Sequence, residues 1–116
     1  MTDHEKQVVD RLREYEKRFT EILDLIGDKL QLWGEDRTRP QQLLKDLKAS
    51  LEEDCKDLRK RKVELNRYER DFLEPALRET KAEVTVTTNS IPGGEWFANL
   101  SGARANIAYR LNQLEE

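Results

Sequence analysis

The chain has 116 residues, of which 39% are charged and 36% hydrophobic, and its net charge is −3 at pH 7. This length suits a single domain, and the charge content is typical of amphipathic helices rather than of a compact α/β domain. The acidic balance does not favour a chain that neutralises a polyanion over its whole surface.

Three features of the sequence bear on cellular location. No apolar run approaches the ~20 residues that are needed to span a bilayer. The first residues lack the basic start and apolar core of a signal peptide. Cys55 is the single cysteine, which excludes an internal disulfide. We therefore expect a cytoplasmic protein that does not enter a membrane.

A first helix is predicted over residues 2–33. Thr2 followed by Glu5 is the pattern of a capping box. Gly34 suits the position that follows a helix. Between them, apolar residues recur at alternating spacings of four and three, which indicates one buried face. These residues are Val8, Leu12, Tyr15, Phe19, Ile22 and Ile26.

A second, longer helix is predicted over residues 40–74, because Pro40 suits a first helical turn and Pro75 ends or kinks a helix. Asp54 and Arg61 interrupt its apolar face. We expect both to lean toward solvent, and the alternative is that they fix the register or the choice of partner. The helix carries a seven-residue apolar repeat of Leu44, Leu51, Leu58, Leu65 and Phe72.

The short connection between these helices predicts an antiparallel hairpin. Folding the chain about residues 36–37 places the two apolar faces against each other. In that register, Tyr15 lies opposite Leu58 and Ile22 lies opposite Leu51. The agreement between two separately identified faces supports the hairpin.

The remaining chain predicts an extended segment over 82–94 and a third helix over 95–114. Val84 and Val86 alternate with threonines at the period of a β-strand. No partner strand is evident, so this segment is either a linker or a strand that pairs with another molecule. The complete expectation is a single all-α domain over residues 1–116, a three-helix bundle built on a long coiled-coil-like hairpin.

The third helix is too short to cover the whole hairpin. An apolar surface that the chain leaves uncovered usually marks an interface. Both the hairpin turn and the extended segment lack a partner within the chain, and dimerisation through either would supply one. The candidate interface residues are Leu30, Leu32, Trp33, Leu43, Leu44, Val84 and Val86.

One basic cluster lies between residues 55 and 70, where seven Lys or Arg accompany three Asp or Glu. Such a cluster can contact nucleic acid or another acidic partner. Pairing with the acidic first helix explains it equally well without a ligand, and we favour that interpretation. The candidate polyanion contacts are Arg59, Lys60, Arg61, Lys62, Arg67 and Arg70.

No pattern in the sequence indicates catalytic, cofactor-binding or metal-binding residues. His4 is the single histidine, so a catalytic triad, a Cys–His pair in one motif and a histidine-based metal cluster all lack members. We expect a non-enzymatic interaction module that self-associates as a homodimer. The alternatives are an adaptor or chaperone that binds an amphipathic segment of another protein and, less favoured, a nucleic-acid-binding protein.

Overall fold

The computed structural model describes residues 1–115 and contains, over that range, four α-helices and no β-strand. The helices are α1 (Asp3–Ile26), α2 (Glu35–Lys60), α3 (Glu74–Thr88) and α4 (Gly94–Glu115). The all-α class predicted from the sequence is confirmed. The described chain has four helices where three were expected, because the long second helix and the extended segment were both assigned wrongly.

The four helices form a ring in which each packs against the next along the chain and α4 packs against α1. Neighbouring helices are antiparallel. The α1–α4 pair shows this at two places, since Arg104 contacts Thr20 and Gly94 contacts Leu30. The most extensive of these helix contacts joins α1 and α4, so the first and last helices share much of the core.

Helix α1 begins as expected and ends seven residues early. The Thr2 hydroxyl accepts a hydrogen bond from the amide of Glu5 (3.2 Å), which caps the first turn. All six residues of the predicted apolar face are buried. The helix ends at Ile26 because Gly27 has φ 57° and ψ −136°, a conformation that breaks the helix and favours glycine. Residues 27–34 form a loop instead of continuing the helix.

Helix α2 begins at Glu35 and ends at Lys60, so the continuous helix predicted over 40–74 is wrong. A 3₁₀ turn (Lys62–Glu64) and two non-helical residues, of which Leu65 is extended, interrupt it. Asn66 then caps a new helix. Its side-chain oxygen accepts from the amide of Glu69 (3.0 Å), and the Glu69 carboxylate accepts from the amide of Asn66 (3.3 Å). This reciprocal pair is a capping box.

Pro75 neither ends nor breaks the helix that contains it. A π-helical turn (Glu69–Leu73) runs directly into α3, and the amide of Glu74 bonds to the carbonyl of Glu69. Because proline lacks an N–H and crowds the carbonyl four residues earlier, a wider turn just before Pro75 accommodates its ring.

The segment predicted to be extended is helical as far as Thr88. The threonine hydroxyls of α3 bond back to carbonyls within the helix, as Thr80 does to Ala76 (2.8 Å) and Thr87 to Glu83 (2.7 Å). These bonds satisfy hydroxyls that are buried in the helix face. The buried residues Leu73, Leu77, Thr80, Val84 and Thr87 have the same alternating spacing as the α1 face, and Ala76 is buried as well.

The register of α1 against α2 differs from the predicted register by one helical turn. Tyr15 donates a short hydrogen bond to Asp54, which also accepts from Arg11 (2.7 Å), whereas Leu58 was the expected partner of Tyr15. The shift arises because the chain turns within residues 27–34 rather than at 36–37. Asp54 therefore links the two helices and does not simply lean into solvent.

Helix α4 covers the helix predicted over 95–114. Its inward residue at the first turn is Trp96 rather than Phe97, because Trp96 is buried and Phe97 is exposed. The indole N–H of Trp96 donates to the carbonyl of Ser90 (3.2 Å), which fixes the chain where α3 turns into α4.

Candidate interaction surface

Two loops at one end of the bundle are tied together by a short antiparallel bridge. The bridge pairs Gln31 in the loop after α1 with Gly93 in the loop before α4. The amide of Leu32 donates to the carbonyl of Pro92, and the amide of Gly94 donates to the carbonyl of Leu30, both at 2.9 Å. These bonds connect segments about sixty residues apart, so they fix the first loop on the last helix.

Glycines allow the backbone to reach this arrangement. Gly27 and Gly34, at the two ends of the first loop, have φ of 57° and 56° with strongly negative ψ, a backbone conformation that residues other than glycine rarely adopt. Gly93 has φ 148°, and a Cβ there would lie 2.2 Å from the carbonyl oxygen of Leu30. The two loops can approach this closely because position 93 has no side chain.

The two bridged loops leave large apolar side chains in solvent. Leu32 is fully buried, while Leu30 and Trp33 on either side are 91% and 69% exposed. In the second loop and the start of α4, Ile91 is 58% and Phe97 40% exposed. We call these four exposed residues, Leu30, Trp33, Ile91 and Phe97, the apolar end. The antiparallel pairing of Gln31 with Gly93, extended by two residues along each loop, places Trp33 opposite Ile91.

A groove of about 520 Å³ runs beside Leu30. The backbones of Gly27 and Gly94 form part of its lining, with Leu23, Leu30 and Phe97 contributing apolar side chains. Its charged lining is evenly divided, with two acidic and two basic residues, namely Asp24, Asp28, Lys29 and Arg104. The lining therefore combines apolar side chains with charged groups whose charges sum to zero.

The structure divides the predicted interface residues into two groups. Leu30, Trp33 and Val86 are exposed. Leu32, Leu44 and Val84 are completely buried and Leu43 is half-buried, so these residues were wrongly expected to form an open surface. Leu32 and Leu44 both belong to the buried core cluster of the bundle. Val84 is buried because α3 packs between α2 and α4.

Ile91 and Phe97 were missed as surface residues. The sequence does contain a signal for Phe97, since Trp96 and Phe97 are adjacent and two successive residues cannot share one helix face. Trp96 takes the inward position that the apolar spacing had assigned to Phe97.

The basic cluster lies at the opposite end of the bundle, over the end of α2, the π turn (Glu69–Leu73) and the non-helical link between them, residues 61–66, which we call the connector. Arg61 binds Asp57 (3.1 Å) and Glu69 (2.8 Å), and both Arg67 and Arg70 approach Asp71. Half of the candidate polyanion contacts are therefore balanced by carboxylates. Arg59, Lys60 and Lys62 are exposed and form no ion pair with any side chain that the structure describes. This pairing reduces the positive charge that the cluster offers to a phosphate backbone.

Cys55 is half-buried between α2 and α3, and burial raises the pKa of its thiol. A raised pKa keeps less of the thiol in its reactive, deprotonated form. Among the side chains that the structure describes, no three His, Cys, Asp or Glu lie together in a way that could hold a metal ion. None of the described helices has the length and apolar character needed to cross a lipid bilayer.

No protein-family model matches this chain, and searches among curated proteins and solved structures find no significant match.

Proposed function

We propose that this chain is a non-enzymatic protein–protein interaction module that forms a homodimer through the apolar end. The observation that supports this most directly is the exposure of Leu30 and Trp33 on a loop whose intervening residue, Leu32, is fully buried. A chain does not gain stability by holding large apolar groups in water, so their exposure in a fixed geometry favours a partner. A pinned loop also loses little conformational entropy on binding.

The side chains at the apolar end suit an interface. Trp33 and Phe97 are aromatic, and aromatic anchors dominate binding energy in many interfaces. Leu30 projects almost fully from the surface beside a groove lined by Gly27, Gly94 and Phe97. A projecting side chain next to a groove provides both halves of a contact on one molecule.

The charge pattern favours a second copy of the chain over a partner of opposite charge. A two-fold interface brings the same patch of each subunit together, so a patch of one sign would repel itself. The groove carries Asp24 and Asp28 against Lys29 and Arg104. Each copy can therefore place acidic groups near basic groups of the other.

Sedimentation equilibrium tests the proposal over a range from about 1 to about 300 µM, the concentrations at which a small interface of this kind would associate. The weight-average mass is expected to rise above the 13.7 kDa of one chain as concentration increases. Trp33→Glu and Leu30→Glu are expected to remain monomeric, because each places a charge in the proposed contact.

Val63→Glu is the matched control, because Val63 is 96% exposed but lies in the connector at the opposite end. It should associate as the unaltered chain does. A mass of one chain at every concentration, or an equal effect of Val63→Glu, would contradict the homodimer. Circular dichroism of each variant checks that the helices are retained.

A different outcome would indicate the adaptor alternative, in which the apolar end docks an amphipathic helix of another protein. The chain would then stay monomeric, and Trp33→Ala would leave that state unchanged. The same substitution would abolish co-purification of a cellular partner that Val63→Ala retains.

A further inference from the structure

A small cleft lies between the last turns of α2 and the first half of α3. Its volume is about 160 Å³, and the side chains that line it are Cys55, Arg59, Glu74, Arg78 and Lys81. Sites for whole small molecules usually have volumes of about 300–1,000 Å³, so this cleft suits one chemical group of a ligand. We call it the basic cleft, because most of its lining side chains are cationic.

The packing of α3 against α2 brings these side chains together. Cys55 and Arg59 are one turn apart on α2, and the three lining residues of α3 follow one another at spacings of four and three. Cys55 and Lys81 are half-buried. Burial raises the pKa of the Cys55 thiol, and the positive charges of Lys81 and Arg59 oppose that rise. Cations from both helices therefore act on one thiol.

The charges that line the basic cleft do not balance. Arg78 pairs with Glu74 (3.4 Å), and Glu74 supplies the one carboxylate among the five lining side chains. Arg59 and Lys81 form no ion pair with any side chain that the structure describes. The lining therefore has an excess of two positive charges. An anion in the cleft would supply the opposite charge that these two residues lack.

Charge and geometry favour one class of anion. A phosphate monoester carries about −1.5 to −2 at pH 7, which matches the excess positive charge of the lining. A carboxylate or a phosphodiester carries a single negative charge and would leave part of that excess unbalanced. A guanidinium group can bind two phosphate oxygens at once, whereas a lysine ammonium group acts as a point charge. Arg59 and Lys81 offer both kinds of phosphate contact, one from each helix.

We propose that the basic cleft binds the phosphoryl group of a phosphate monoester, which is held by Arg59 and Lys81. Arg78 keeps Glu74 paired, and this pairing reduces the repulsion between the Glu74 carboxylate and the phosphoryl group. Both a small phosphate ester and a phosphorylated serine side chain of a peptide have this chemistry. The basic cleft shares no residue with the apolar end, so this proposal does not depend on the homodimer.

Methyl phosphate and dimethyl phosphate test the ligand class, because they are similar in size and differ in charge. Each is titrated into the ¹⁵N-labelled chain at about pH 7.5, above the second pKa of a phosphate monoester, and at constant low ionic strength. Methyl phosphate is expected to give saturable amide shifts confined to the turns that contain Cys55, Arg59 and Lys81. Dimethyl phosphate is expected to give none there. Nα-acetyl-O-phosphoserine methylamide, added in a third titration, identifies a phosphorylated side chain as the source if it binds more tightly than methyl phosphate, and a small ester if it does not.

The alkylation rate of Cys55 gives a second measurement on the same cleft. Iodoacetamide is uncharged and reacts with the thiolate, and a dianion bound beside the thiol disfavours the thiolate. Methyl phosphate is therefore expected to slow alkylation of Cys55, and dimethyl phosphate is expected to leave the rate unchanged.

Arg59→Gln and Lys81→Gln should each weaken methyl phosphate binding by about fivefold, the upper size of effect for one ion pair near the surface. Lys60→Gln is the matched control, because it removes one positive charge from an exposed residue that does not line the cleft. Circular dichroism checks that each variant is folded. The proposal is overturned if dimethyl phosphate shifts the same amides, if Lys60→Gln weakens binding as much as Lys81→Gln, or if the methyl phosphate shifts are spread over all the basic residues.

Discussion

Gly93 lies against the backbone of Leu30, so closely that a Cβ added to the glycine would be 2.2 Å from the Leu30 carbonyl oxygen. The contact lies beside the two hydrogen bonds that join the loop after α1 to the start of α4. It therefore depends on the absence of a single side chain, and it holds the apolar end in place.

Gly93→Ala is expected to lower the free energy of unfolding by about 2 kcal/mol or more, because a Cβ at this position would be both crowded and strained at φ 148°. Urea denaturation followed by circular dichroism measures the change. Gly102→Ala is the control. A Cβ at Gly102 meets nothing within 4 Å, and alanine in a helix gains about 0.5–1 kcal/mol over glycine. Equal effects of the two substitutions would show that the close approach is absent.

Asn66→Ala is expected to destabilise the chain by about 0.5–2 kcal/mol, since it removes the side-chain oxygen that caps the helix leading into α3. Asn66→Ser keeps a capping oxygen and should lose much less. Denaturation midpoints measured at constant m-value separate the two variants. If alanine and serine had equal effects, the capping bond would not be what starts this helix.

Tyr15 and Asp54 should be coupled by about 1–2 kcal/mol, because a part-buried hydroxyl donates to a carboxylate between α1 and α2. A double-mutant cycle of Tyr15→Phe and Asp54→Ala measures this coupling from four unfolding free energies. Burial and the Asp54 bond also raise the pKa of Tyr15, so it should not ionise while the chain is folded at moderately alkaline pH. Tyr109→Phe combined with Asp54→Ala is the control cycle and should be additive, since Tyr109 is exposed on α4.

Glu79 should make stability depend on pH below neutrality. Its hydrogen bond from Asn106 (2.6 Å) and its pairing with Arg110 (3.1 Å) hold the pKa of the carboxylate below its ordinary value. A lowered pKa means that the stabilisation is complete above the unfolded pKa of about 4.3 and is lost as pH falls through the folded pKa. The effect is small, because the Glu79 side chain is 45% exposed and solvent screens the pair.

Comparing unfolding free energies at pH 7 and at about pH 3 checks this dependence, since the unfolded carboxylate titrates between them. Glu79→Gln should reduce the difference between the two values. Glu83→Gln, on the same helix, has no ion pair among the described residues and serves as the control. If the difference in unfolding free energy between the two pH values is unchanged in Glu79→Gln, Glu79 is not the source of the pH dependence.

The parts of the fold that the sequence predicts well are those in which large apolar residues mark one helix face. Every residue of the α1 face is buried, and α4 occupies the predicted range. The face of α3 was hidden because Thr80 and Thr87 occupy two of its inward positions and satisfy their hydroxyls within the helix. Composition then favoured a strand, although β propensity depends strongly on context.

The division of the second helix was missed for a different reason. The seven-residue repeat continues through Leu65 and Phe72, and a repeat alone does not reveal that the chain stops and starts again. The capping pattern of Asn66 and Glu69 was present in the sequence and contradicts a continuous helix. Pro75 led to a predicted helix end at residue 74, whereas α2 ends at Lys60.

The candidate surface was only partly accessible to sequence reasoning. Trp33 and Leu30 follow from a turn rich in apolar residues. The burial of Leu32 depends on a bridge to Pro92 and Gly93, residues about sixty positions away. No periodicity within one segment reports such a contact, so the apolar end could not be resolved into inward and outward residues before the fold was known.

The antiparallel pairing of the first and last helices also has a mechanical consequence. The pairing of Thr20 with Arg104 and of Leu30 with Gly94 places the start of α1 beside the last turn of α4. A pulling force applied at those two points would load the pair in a peeling direction, so its contacts would fail one turn at a time. The bridge between Gln31 and Gly93 lies farthest from the applied load and would be the last contact along this pair to break.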